Sequence, residues 1–151
     1  MKQVEGNLWD YHDSGQWIGI PTNLSTTTQG LAVMGRGLAR EARIRFPLLS
    51  AQLGNHIQNH KTRGSALFWF FNLRIVCVPV KHEWRNPASL NLIRVSCTQL
   101  TRETHVPELY LPKLGCGYGR RTWEEVGPVM REELGDQFTV VSLEGDKDDQ
   151  L

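Results

Sequence analysis

Short apolar runs alternate with segments of helical period along almost the whole chain, and this alternation limits it to folds in which helices cover a sheet. The runs are Gln3 to Leu8, Trp17 to Ile20, Leu67 to Leu73, Arg74 to Val80, Glu108 to Leu111 and Phe138 to Leu143. Two of them abut around Asn72, which predicts a hairpin. Ile75-Val76-Cys77-Val78 is apolar at every position, as an inner strand covered on both faces must be. Between the runs, Ala39, Ala42, Arg43 and Phe46 fall at helical spacing, and Pro47 separates them from a second pattern with Leu49, Leu53 and Ile57. Asn86-Pro87 predicts the N-cap and first turn of a third helix, with Leu90, Ile93, Cys97 and Leu100 on one face. Thr122 with Glu125 predicts a capping box, with Val126, Val129, Met130 and Leu134 as the buried stripe and Gly135 as the stop. The expected class is α/β, a mixed central sheet with helices on both faces in three layers.

A length of 151 residues fits one domain, and 40% hydrophobic content suffices for a core without disulfides or metal. The formal charge of +1 offers no general attraction to nucleic acid or an anionic membrane, so an anionic ligand must be held locally. Cys77, Cys97 and Cys116 are odd in number and widely spaced, unlike a zinc site or a secreted disulfide framework; a reducing cytoplasm is expected. Met1 to Asp10 lack the basic stretch and apolar run of a signal peptide, and no apolar segment approaches bilayer length, so a soluble monomer without a membrane partner is expected. The domain is expected over 1–143 and a frayed acidic tail over 144–151.

Two glycine clusters, Met34-Gly35-Arg36-Gly37 and Gly115-Cys116-Gly117-Tyr118-Gly119, each precede a helical pattern. Glycine permits close backbone approach, and a helix N-terminus offers unpaired N–H groups to a phosphate; two such loops can grip a diphosphate from both sides. Neither has the Gly-Lys-Ser or Gly-Lys-Thr of a nucleoside triphosphatase, and no Gly-x-Gly-x-x-Gly follows the first run. One cluster alone reads equally as a tight turn.

Gly6-Asn7-Leu8, Ile20-Pro21-Thr22-Asn23, Val33-Met34-Gly35-Arg36-Gly37-Leu38-Ala39 and Leu111-Pro112-Lys113-Leu114-Gly115-Cys116-Gly117-Tyr118 follow one another in order. Together they resemble the signature blocks of macrodomains, from about Val4 to Leu143, and imply a three-layer α/β/α macrodomain that binds ADP-ribose. Val78-Pro79-Val80-Lys81-His82-Glu83-Trp84-Arg85 is similar to the lysine-bearing motif of the branch holding terminal ADP-ribose protein glycohydrolase and the DarG-type DNA ADP-ribosyl glycohydrolases. The resemblance implies that Lys81 acts at the distal ribose.

Without the resemblance, an ordinary solvated lysine is the commoner reading. Lys81 nonetheless follows an apolar strand, at the kind of strand end where α/β folds place ligands, and partial desolvation there would lower its pKa and supply a neutral nucleophile. Left charged, it would instead stabilise a displaced anion. Gly119 stands where the protein-glycohydrolase pattern has an acidic residue, whereas the DarG-like pattern has glycine. Asn7 replaces the aspartate usual in that block and remains a neutral acceptor for the adenine amino group.

The resemblance thus implies Asn7 and Leu8 at adenine, Asn23 at the distal ribose, Gly35, Arg36 and Gly37 with Gly115, Cys116, Gly117, Tyr118 and Gly119 around the diphosphate, and Lys81 as the catalytic group. Arg120 and Arg121 read as a solvated turn, His82 and Trp84 as packing residues, and Ser25 to Gly30, with three consecutive threonines, receives no role. No metal or redox cofactor is implied, since no ligand cluster appears. The expected activity is removal of ADP-ribose from a nucleic-acid base, DNA above all, or from a protein carboxylate, with a cognate ADP-ribosyltransferase toxin as the implied partner. The alternatives are a reader that binds ADP-ribose without cleaving it and hydrolysis of ADP-ribose-1″-phosphate.

Overall fold

In the computed structural model a single sheet takes the order β1-β6-β5-β2-β4-β3. Residues 1–63 and 65–143 are described, so the acidic tail expected over 144–151 lies outside the described residues. The elements run β1 (Lys2–Glu5), α1 (Leu8–Asp13), β2 (Trp17–Asn23), α2 (Gly37–Arg45), α3 (Leu49–Arg63), β3 (Phe68–Phe70), β4 (Ile75–Lys81), α4 (Leu90–Glu103), β5 (Leu109–Leu111), α5 (Trp123–Glu133) and β6 (Phe138–Ser142). The β1–β6, β6–β5, β5–β2 and β2–β4 pairs are parallel, and only the β3–β4 edge pair is antiparallel. The sheet is therefore mixed, as the sequence predicts.

The continuous apolar run of β4 divides its side chains between two cores, because successive residues of a strand face opposite ways. Val76, Val78 and Val80 pack with Ile93, Leu100, Val126 and Met130 of α4 and α5. Ile75 and Cys77 pack with Leu8, Trp9, Ala42, Leu49 and Leu53 of α1, α2 and α3. These are the three layers. Pro21 and Pro79 are compatible with inner strands because β5 pairs only with Trp17 and Ile18 of β2, and β3 only with Ile75 to Cys77 of β4. Each proline lies past the neighbour that would require its N–H.

Four expectations change. The first run stops at Glu5, and the chain turns into the unforeseen helix α1, where Asn7 Oδ1 accepts from Trp9 N at 2.9 Å as N-cap. The run Leu67 to Leu73 is a strand only at Phe68–Phe70; Phe71–Leu73 forms a 3-10 turn, and Arg74 at φ 55° reverses the chain into β4. The third helix begins at Leu90 with Ser89 as N-cap, whose Oγ accepts from Leu92 N at 3.1 Å, and not at Asn86-Pro87. The residues before it are held by other partners, Ala88 N donating to Gly119 O and Ser89 N to Val80 O. Lastly, α5 ends on Leu134 in extended backbone, so its stop uses no left-handed glycine at Gly135.

The capping box stands as expected: Thr122 Oγ1 accepts from Glu125 N at 3.1 Å, and Glu125 Oε1 accepts from Thr122 N at 3.0 Å. Among the described residues no helix is long and apolar enough to cross a membrane. Replacing Thr122 by Ala removes the cap and is expected to cost about 1 kcal/mol, read as a lower urea midpoint with an unchanged slope.

Candidate functional site

Because β1, β2, β4, β5 and β6 are parallel, Glu5, Asn23, Lys81, Leu111 and Ser142 finish at the same edge of the sheet. A cleft of about 980 Å³ opens there, the place where open parallel sheets bind ligands. Asn7, Leu8, Asn23, Gly35, Arg36, Gly37, Lys81, Gly115, Cys116, Gly117, Tyr118 and Gly119 all line it. The structure thus brings together every residue singled out in the sequence, although their local duties differ.

In the first loop, Arg36 is the N-cap of α2 in extended backbone and makes no side-chain cap bond. Nothing lies within 4 Å of where a Cβ on Gly35 would point, so the backbone there borders open cleft. The same holds for Gly117 in the second loop. Gly119 is under the opposite constraint. The loop curls so tightly, with Arg120 N donating to Gly117 O and Arg121 N to Gly115 O, that a Cβ on Gly119 would lie 2.7 Å from Gly115 Cα. The loop is tied to the start of α4 by Ala88 N donating to Gly119 O at 2.8 Å and Arg121 Nε to Ala88 O at 2.7 Å. Arg121, which also pairs with Glu125, is therefore a structural tie although part of its side chain stays exposed.

The loops meet across the cleft. The Tyr118 ring lies 3.2 Å from the position of a Cβ on Gly37, and the Arg36 guanidinium lies 5.5 Å from the ring centroid. Cys116 is no nucleophile: burial pushes its thiol up to about 12, leaving it protonated at neutral pH.

A register shift between Thr22 and Asn23 places Asn23 opposite Lys81, the pair Thr22↔Pro79 being followed by Asn23↔Lys81. The extra residue, Val80, gives its carbonyl to Ser89 N. Such bulges re-aim side chains at strand ends. The Lys81 Nζ donates to Tyr118 O of the second loop at 3.0 Å and to Trp84 O of the turn after β4 at 3.2 Å. Burial holds the amine below the usual lysine range, aided by the positive charges of Arg120 and Arg36. Asn23 is engaged on both amide faces, Nδ2 donating to Val33 O at 3.0 Å and Oδ1 accepting from Ser25 N at 2.9 Å. It acts as a brace between β2 and the first loop. Asn7 Oδ1, expected to face a ligand, already caps α1.

Residues that the sequence reading placed elsewhere join the rim. Trp84 is 49% exposed and lines the cleft, with the Arg85 guanidinium 5.6 Å from its ring. It does not pack in a core, because the turn after β4 carries it outward. Arg120, at φ 61°, also lines the cleft and donates to Arg85 O at 2.8 Å. Position within the lysine-bearing motif is the signal that could have marked Trp84 and Arg85. Among the described residues no three His, Cys, Asp or Glu side chains group as a metal site.

An alanine at Gly119 is expected to force the second loop open, lowering stability by about 1–3 kcal/mol as overpacking does, whereas Gly117→Ala, facing open space, stays within about 0.5 kcal/mol. Thermal denaturation of both variants checks the contrast.

No protein-family model and no curated protein matches the sequence. Among solved structures, the chain superposes on Thermosipho africanus DarTG in complex with ADP-ribose with a TM-score of 0.75 and 22% identity, over 96% of this chain and 42% of that one. It therefore spans less than half of the DarTG chain. The macrodomain of Thermus aquaticus DarG gives 0.74 and 23%, over 95% of this chain and 97% of that one. The macrodomain of Mycobacterium tuberculosis DarG gives 0.70 and 21%, over 93% and 95%. In its sheet, its layers and the loops at its strand ends, the chain folds as a macrodomain, similar in fold to those of DarG.

Proposed function

We propose that the chain binds ADP-ribose in the cleft at its strand ends and cleaves it from a modified nucleic-acid base, DNA above all. The observation that carries this is the Lys81 amine, held by the carbonyls of Tyr118 in the second glycine loop and Trp84 in the turn after β4, and depressed in pKa by burial and by two arginines. The fold likeness to a DarTG complex with ADP-ribose supports the ligand. The open backbone at Gly35 and Gly117 suits a diphosphate, which the N–H groups opening α2 and the Arg36 charge would hold. The exposed Trp84 ring, with Arg85 and Arg120 around it, favours a nucleic acid over a protein carboxylate.

In this reading the neutral Lys81 amine attacks the anomeric carbon of the distal ribose. A C–N bond forms as the glycosidic bond breaks, the departing base keeps the electron pair, and the proton lost from Nζ passes to it. Water then hydrolyses the lysyl adduct, releasing ADP-ribose and returning the amine. Neither a metal nor a redox cofactor enters the scheme. A cognate ADP-ribosyltransferase, in the cytoplasm, would supply the modified strand.

A second reading, a module that binds ADP-ribose without cleaving it, is favoured by the same two carbonyls, because acceptors on Nζ stabilise the ammonium form.

Incubation with ADP-ribosylated DNA, following release of free ADP-ribose, decides between them. Lys81→Ala is expected to retain ADP-ribose affinity and to lose turnover by at least about a hundredfold. Wild-type protein that binds ADP-ribose but releases none identifies the reader. Since the neutral amine reacts, the rate should rise with pH through the Lys81 pKa, at a pH below the ordinary lysine range. Arg120→Asn keeps a residue that tolerates positive φ but removes one of the charges depressing that pKa, so the rising limb is expected to move to higher pH.

A further inference from the structure

We propose that Ser25, in the threonine-rich stretch without an assigned role, is the positioning residue for the Lys81 amine, an inference that rests on the glycohydrolase reading. The Ser25 hydroxyl accepts from Trp84 N at 2.9 Å and donates to Glu83 Oε2 at 3.4 Å. It thereby fixes the turn after β4 from outside that turn. Trp84 is the residue whose carbonyl accepts from Lys81 Nζ at 3.2 Å, so Ser25 holds by its N–H the same residue that orients the amine by its carbonyl. One short segment holds Lys81 at both ends, since Leu24 N also donates to Lys81 O at 3.0 Å.

Ser25 is itself well determined. Its N–H donates to Asn23 Oδ1 at 2.9 Å, and its carbonyl accepts from Val33 N at 3.2 Å, while Asn23 Nδ2 donates to Val33 O. A bridge between Thr26 and Ala32 closes the stretch, and Ala32 N donates to Ser50 O at 2.8 Å, anchoring it on α3. The first glycine loop, which begins one residue beyond Val33, and the amine across the cleft are thus connected through Asn23, Ser25 and Trp84. The turn from Lys81 to Trp84 is largely exposed, and the Ser25 hydroxyl ties both Glu83 and Trp84 of it to the end of β2. Serine suits the task because the same oxygen can accept from an N–H and donate to a carboxylate.

Ser25→Ala deletes both bonds and leaves the backbone bonds of the stretch in place. On ADP-ribosylated DNA, kcat is expected to fall about tenfold or more while KM and the ADP-ribose affinity stay within about twofold, because misplacement near a reacting group costs rate before it costs binding. Ser25→Thr, which keeps the hydroxyl, should restore the rate, and Ser25→Ala added to Lys81→Ala should change nothing further. Equal losses of affinity and rate, a full effect in the Lys81→Ala background, or an unchanged kcat would each overturn the proposal. A readout independent of turnover is trace acetylation of Lys81 with acetic anhydride across pH, followed by peptide mass spectrometry. Loosening the turn relieves burial, so the reactivity midpoint of Lys81 should move up in Ser25→Ala and not in Ser25→Thr. If wild-type protein releases no ADP-ribose, the glycohydrolase reading fails, and a midpoint shifted in this way still supports the tie between Ser25 and Lys81; an unmoved midpoint sinks it.

Discussion

The parallel ladder between β2 and β4 is the constraint on which the rest of the molecule depends. It brings the two strands to the same edge, and its one-residue irregularity at the end sets Asn23 against Lys81. A strict continuation would have put Val80, an apolar residue facing the α4 and α5 core, opposite Asn23. With the bulge, Val80 stays in that core while Lys81, on the opposite face of the strand, becomes the neighbour of Asn23. Packing and site geometry are thus reconciled at one peptide, whose carbonyl is then satisfied by the residue capping α4.

Much of this architecture is legible in the sequence because it follows from periodicity. The doubly apolar run around Val76 can only be an inner strand, and Thr122 with Glu125 marks a helix start with no other partner required. The features that the sequence leaves open turn on partners that spacing does not reveal. Asn86-Pro87 has the local form of a helix start, yet the backbone beside it is claimed by Gly119, more than thirty residues away. Asn7 and Asn23 carry the right groups for a ligand, but whether an amide faces a cleft or braces a turn depends on neighbours that spacing does not reveal. Trp84 looks like a packing residue until the turn that carries it is seen to lie outside both cores.

Charge is distributed with the same economy. A chain close to neutrality overall places Arg36, Lys81, Arg85, Lys113 and Arg120 along one cleft, with Glu41 as the only acidic residue among the described residues lining it. Burial, aided by the charges of Arg120 and Arg36, disfavours the ammonium form of Lys81, which unlike an arginine can release its proton.

The self-contact of the second loop limits what can stand at its last glycine. Gly119 rests on the backbone of Gly115, so the position cannot acquire a side chain by a single substitution while the loop keeps its path. An acidic group at this point, as in the protein-glycohydrolase pattern, requires the loop to take another path.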